Sequence, residues 1–123
     1  MLAKDIMTRH VTTVRPNLWT QDLARIFAQR NISGAPVLDE NGKVAGIVSD
    51  GDILSKEGVH VGSLMTKQVI SVTEDDPVKK IAELMIENKI KRVPVLRGEE
   101  LVGIVSRADI IRAIAMGKPI YDS

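Results

Sequence analysis

The sequence predicts a mixed α/β (α+β) fold of two pseudo-symmetric β-α-β-β-α repeats packed through their small sheets. Two observations carry this expectation. Four short segments recur in the same order in the two halves of the 123-residue chain. Each half also passes from a helical apolar stripe to β-rich runs separated by a glycine-containing turn.

The recurring segments are Asp5-Ile6-Met7-Thr8 with Ser63-Leu64-Met65-Thr66, and Val11-Thr12-Thr13-Val14 with Val69-Ile70-Ser71-Val72. They continue with Ala35-Pro36-Val37-Leu38 and Val93-Pro94-Val95-Leu96, then Gly46-Ile47-Val48-Ser49 and Gly103-Ile104-Val105-Ser106. Met7 to Met65 is one residue longer than Gly46 to Gly103, so the second copy has lost one residue, and a turn is the natural place for it. The repeats span residues 1–58 and 59–123, with Gly58–Gly62 as the linker between them.

Each copy opens with a short extended segment. Thr20, Leu23, Ala24 and Phe27 then fall at i, i+3, i+4 and i+7, the spacing of one helix face. Val78, Ile81, Ala82 and Met85 repeat the stripe, with Asp76 expected as N-cap and Pro77 as first helical residue. Two β-rich runs follow, Ala35 to Leu38 and Lys43 to Val48, around Asn41-Gly42, a pair whose residues tolerate positive φ. Arg97-Gly98-Glu99 makes a shorter turn in the second copy and is where the deletion is expected. Ser49 and Ser106 have N-cap chemistry, and the helix over Ala108 to Met116 should stop at Gly117. A repeat of some 55 residues buries little surface by itself, so the two are expected to share one core.

Composition narrows the function. With 2% aromatic residues, no row of rings is available to stack bases, and a formal net charge of +1 argues against nucleic acid and anionic membranes. Absence of cysteine removes disulfide, thiolate and thiolate–metal chemistry. His10 and His60 stand without convergent ligands, so no metal site is expected. No signal-like or membrane-length apolar run occurs, and a soluble cytoplasmic protein is the default expectation. Trp19 is expected to be buried at a repeat or subunit interface, and Ile53, Leu54, Ile110, Ile111 and Ile114 to extend the core or face a second subunit.

Ser49-Asp50-Gly51-Asp52 and Ser106-Arg107-Ala108-Asp109 stand where a strand hands over to a helix. Unpaired N–H groups and the helix dipole favour an anion there, and the carboxylate could accept from two ribose hydroxyls. Equally, Ser-x-x-Asp approximates a capping box, with the acid reaching back to the N-cap amide. The residues alone leave both roles open, and they are compatible. Ser33-Gly34-Ala35-Pro36 and Lys91-Arg92-Val93-Pro94 lead into the β-rich runs, where Gly34 and Pro36 also fit plain turn chemistry. Arg107 reads as a solvated residue.

The ordered set of segments, occurring twice from Ile6 to about Ala115, resembles the CBS domain, named for cystathionine beta-synthase, whose tandem pairs form a Bateman module. The resemblance implies a regulatory sensor, not an enzyme, that binds AMP, ADP, ATP or S-adenosylmethionine and controls an attached domain or separate protein. It implies no catalytic cofactor, and a homodimer forming a disc of four repeats. It makes Asp52 and Asp109 ribose contacts and gives the Ser33–Pro36 and Lys91–Pro94 backbones to adenine.

By pseudo-symmetry, one site is expected to combine Thr12, Ser33, Gly34 and Pro36 with Lys91, Arg92, Ser106 and Asp109. Its mate combines Ile70, Arg92, Val93 and Pro94 with Ser49 and Asp52. Lys91 and Arg92 are the expected phosphate contacts, which favours the Asp109 site. The alternative is a ligand-free dimerisation or interaction module with vestigial sites.

Overall fold

The computed structural model describes residues 1–120. Its two compact units do not follow the sequence repeats: one is Thr12–Val69, and the other joins Met1–Val11 to the chain from Ile70 onward. Each carries its own cluster of buried, mostly aliphatic side chains.

In the Thr12–Val69 unit, helix α2 (Thr20–Arg30) buries Leu23 and Phe27 against Val14, Ala35, Val37 and Val48. Ala24, expected on this stripe, is exposed, and Ile26 packs in its place. The helix ends at Asn31, whose φ of 54° lets the Ile32 N–H return to the Phe27 carbonyl. Strands β1 (Gly34–Leu38) and β2 (Val44–Ser49) pair antiparallel from Gly34↔Ser49 to Leu38↔Val44. In the turn only Gly42 takes positive φ, at 79°; Asn41 does not. The Asp39 carboxylate instead holds the loop by accepting from the Asn41 and Lys43 N–H groups. Helix α3 (Asp50–Ser55) follows directly.

Gly58–Gly62 is not a free linker. Helix α4 (Val61–Leu64) begins within it, Val61 and Leu64 are fully buried, and the Val61 and Gly62 N–H groups donate to the Leu18 and Pro16 carbonyls. Trp19 is 56% exposed rather than buried in the chain, and its ring lies 4.6 Å from that of His60.

The other unit repeats this plan. Helix α1 (Ala3–Ile6) precedes Thr8, and strand β3 (Val72–Thr73) runs parallel to β4 (Arg92–Arg97), which pairs antiparallel with β5 (Glu100–Ser106). Helix α5 (Val78–Asn88) buries Val78, Ile81 and Met85. It starts one residue later than expected: Pro77 is the N-cap, and Asp76 is engaged elsewhere. The Asp76 carboxylate accepts the Thr73 N–H at 2.8 Å and faces the Lys80 ammonium at 3.2 Å. Arg97 pairs with Glu100 across Gly98-Glu99, and the chain between the paired Leu96 and Leu101 is one residue shorter than that between the equivalent Leu38 and Val44. Helix α6 (Arg107–Ala115) ends before Gly117, whose φ is 79°.

The Met-Thr and Gly-Ile segments meet within each unit. Thr8 and Ile104 exchange backbone hydrogen bonds of 2.9 and 3.0 Å, as do Thr66 and Ile47 at 2.8 and 3.0 Å. These pairs press a methionine onto a glycine. A Cβ at Gly103 would stand 2.5 Å from Met7 Sδ; one at Gly46 would meet Met65 Sδ and the Thr66 carbonyl oxygen, both at 2.8 Å.

Gly46→Ala should therefore cost about 2 kcal/mol, because a backbone carbonyl cannot swing aside, and Gly103→Ala less, because Met7 can repack. Urea denaturation of the two variants checks the order. The Asp76 carboxyl is held below its ordinary 3.8, first by the Thr73 N–H and further by Lys80. A depressed carboxyl stabilises the fold above the unfolded value and loses that contribution as pH falls through the folded one. The gap of about 1 kcal/mol expected between wild type and Asp76→Asn at pH 7 should accordingly close in strong acid, read from urea midpoints across the acid range.

Candidate functional site

Both Ser-x-x-Asp turns form reciprocal capping boxes. Ser49 is extended, at φ −132° and ψ 169°, and its Oγ accepts the Asp52 N–H. Asp52 Oδ2 accepts the Ser49 N–H at 2.8 Å and the Ser49 hydroxyl at 3.2 Å. Ser106 and Asp109 repeat the arrangement, with 2.9 and 3.1 Å to Asp109 Oδ2. The capping role is thus realised in both copies. Two otherwise unpaired helix-start donors are satisfied each time, and the carboxylate is fixed in one orientation.

The second carboxylate oxygen distinguishes the copies. Asp52 Oδ1 meets the Lys56 ammonium at 2.8 Å, and Lys56 also donates to the Leu64 carbonyl at 3.0 Å, tying the turn to the end of α4. Asp109 Oδ1 accepts from Arg112 Nη1 at 3.0 Å and Thr8 Oγ1 at 3.4 Å. Asp109 is 6% exposed, the one buried charged residue among those described. An exposed pair would contribute little, but the Asp109 carboxyl would be costly to bury without these donors.

The segments leading into the strands lie beside these turns. Gly34 is in register with Ser49, and the Asp50 N–H donates to the Ser33 carbonyl at 2.8 Å. Pro36 is buried in β1, and Thr12 accepts from Arg30 Nη1 at 3.0 Å. In the other unit Arg92 is in register with Ser106, and the Arg107 N–H donates to the Lys91 carbonyl at 2.9 Å. Val93 and Pro94 are buried, Ile70 is half-buried, and Lys91 is exposed.

Of the predicted residues, Thr12, Ser33, Gly34, Pro36, Ser49 and Asp52 belong to one unit and Ile70, Lys91, Arg92, Val93, Pro94, Ser106 and Asp109 to the other, so each expected combination draws on both. Sequence reasoning missed Lys56, Arg112 and Thr8. The first two stand four and three residues after their aspartates, a helical spacing that can be read from sequence. Thr8 is 101 positions from Asp109, beyond any local signal. Arg107, expected to be solvated, is exposed, with Nε 3.4 Å from the Ile90 carbonyl.

Among the described residues no group of His, Cys, Asp and Glu could hold a metal ion, and no helix is long and apolar enough to cross a membrane. A shallow depression of about 500 Å³ lined by Arg15, Pro16, Asn17, Asp39 and Glu40 contains none of the predicted site residues.

The family model of the CBS domain matches residues 3–58 and 61–116. The crystal structure of the CBS domain pair of protein MJ0100, in complex with 5′-methylthioadenosine and S-adenosyl-L-methionine, is 34% identical with a TM-score of 0.90, covering 96% of this chain and 98% of that one. The structure of CBSX2 in complex with AMP is 28% identical with a TM-score of 0.88 over the same shares. An uncharacterised protein of Methanocaldococcus jannaschii, MJ1426, is 32% identical, over 93% of this chain and 91% of its own length. The L-aspartate semialdehyde sulfurtransferase of the same organism is 36% identical, but this chain spans only 23% of it.

Ser106→Ala should cost about 1 kcal/mol through loss of the cap. Asp109→Ala should cost more, because it strands the Ser106 donors and leaves Arg112 unpaired. Chemical denaturation of both variants measures the difference.

Proposed function

The chain belongs to the CBS-domain family, and on that footing we propose that it is a non-catalytic regulatory module whose ligand is an adenosine nucleotide or S-adenosylmethionine. The observation that carries the reading is the paired, pre-oriented carboxylate. Asp52 and Asp109 are each held by a serine at a strand-to-helix turn, next to the segment leading into the preceding strand. A carboxylate so placed has the geometry to accept from the two vicinal hydroxyls of a ribose. Because its lone pairs are partly engaged by Lys56, or by Arg112 and Thr8, a ligand shares the carboxylate with these groups.

Main-chain groups of Ser33–Pro36 and Lys91–Pro94 supply the adenine contacts, and Lys91 and Arg92 the phosphate contacts. The 5′-methylthioadenosine and S-adenosyl-L-methionine held by the MJ0100 pair, and the AMP held by CBSX2, support an adenosine ligand. Ligand occupancy in the cytoplasm would be read by an attached domain or a separate protein.

A homodimer is part of the proposal. Ile111 and Ile114 on α6 are 65% and 46% exposed, and Met116 is also exposed, so one helix end presents apolar surface to solvent. The same surface supports the second reading, a dimerisation module with vestigial ligand sites.

Calorimetry with AMP, ADP, ATP and S-adenosylmethionine, reporting stoichiometry, separates the two. Binding of at least one, with Asp109→Asn weakening it about tenfold or 1.4 kcal/mol, is the expected result. Absence of heat and of any thermal stabilisation by all four would leave only the dimerisation module.

A further inference from the structure

We infer that Lys56 is an internal competitor for the Asp52 carboxylate and a relay from it to the Met65-Thr66 segment. A ligand that engages this carboxylate displaces the Lys56 ammonium and so loosens the segment. The inference rests on the reading of Asp52 as a ribose contact and adds how occupancy of that turn is passed on.

Lys56 joins α3 to α4 within the Thr12–Val69 unit. Its N–H donates to the Asp52 carbonyl and closes the last turn of α3. Its ammonium lies 2.8 Å from Asp52 Oδ1 and 3.0 Å from the carbonyl oxygen of Leu64, the last residue of α4. A carbonyl at a helix end has no donor within its own helix, and here the ammonium supplies one. The next two residues are those seated on β2: Met65 Sδ lies against Gly46, and Thr66 exchanges backbone hydrogen bonds with Ile47. Strand β2 then ends at Ser49, which holds Asp52 Oδ2. The contacts close a ring from Ser49 through Asp52, Lys56, Leu64 and Thr66 back to Ile47.

Within this ring the two carboxylate oxygens differ. Oδ2 is held by the local cap that also starts α3, whereas Oδ1 is held by one long side chain that is 42% exposed. Oδ1 is therefore the oxygen that a ligand hydroxyl takes, and Lys56 is the group it displaces. The Asp52 side chain is only 12% exposed, so its charge needs one partner or the other. A site closed to ligand for part of the time binds more weakly in that proportion, so the same contact that holds α4 also restrains binding. The Asp109 turn is joined to its Met-Thr segment more weakly, by the Thr8 hydroxyl at 3.4 Å. Its closer partner, Arg112 at 3.0 Å, stands on the same helix.

The first arm of the test uses no ligand. In Lys56→Met, amide hydrogen exchange at Ile47, Met65 and Thr66 should quicken about tenfold, while the paired amides of β4 and β5 keep their rates. Lys56→Arg should restore the slow exchange, and circular dichroism verifies folding. The second arm titrates 5′-methylthioadenosine, whose lack of charge confines the effect of the lost ammonium to the carboxylate. An Asp109→Asn background leaves the Asp52 turn to be read alone. There Lys56→Met should bind the thioether about tenfold tighter by calorimetry. The ligand should quicken exchange at Met65 and Thr66 with Lys56 present and leave it unchanged in Lys56→Met. Exchange that neither Lys56→Met nor ligand quickens would overturn the relay, and affinity that Lys56→Met fails to raise would overturn the competition, with ligand binding standing in both cases. Failure of the thioether to bind with Lys56 present or replaced would instead overturn the reading of Asp52 as a ribose contact, and the first arm would still decide whether Lys56 holds the segment.

Discussion

The constraint on which the structure turns is the reciprocal bond between a serine ending a strand and an aspartate one helical turn later. The same four atoms stop the ladder, start the helix and lock the carboxylate. Without the cap, α3, only six residues long, has little to hold its first turn, since nucleating a short helix is unfavourable. The price of that rigidity is that the acid is never idle: any ligand enters a network that is already satisfied.

Around this device the two units keep the plan and vary the chemistry. Helix stripes of Leu23 and Phe27, and of Val78, Ile81 and Met85, bury equivalent faces, and each glycine in β2 and β5 accepts a methionine from the Met-Thr segment. The residues around the capping boxes are not kept: Asp50 answers Arg107, and Lys56 and Arg112 bind their aspartates from different helical positions. Symmetry is thus strict where side chains are packed and relaxed where they meet solvent.

What could be read in the sequence follows the range of the interactions. Hairpins, helix stripes and Ser-x-x-Asp caps are local, and their residues lie within one or two turns of each other. The shorter second hairpin was legible for the same reason. Asp76 shows the limit of local reading, since its carboxylate had two backbone donors to choose between and took the Thr73 N–H. Trp19 is not buried within the chain, where its ring meets one neighbour, His60, and otherwise stays exposed. Thr8 was invisible as a partner of Asp109 because only tertiary structure brings them together. Of the candidate site, the two carboxylates and their flanking segments were legible, and the groups that restrain the carboxylates were not.

The exchange of opening segments bears on how such a chain could arise and be divided. Residues 1–11 belong to the first repeat but are counted in the compact unit of the second, while α4, from the second repeat, completes the unit of the first. A single repeat is therefore not a heritable module by itself. Cut at residue 58, the chain would leave α1 without the strand that receives Met7 and α2 without Val61 and Leu64 beneath it. A single copy could complete such a unit only by lending its first segment to another molecule of itself.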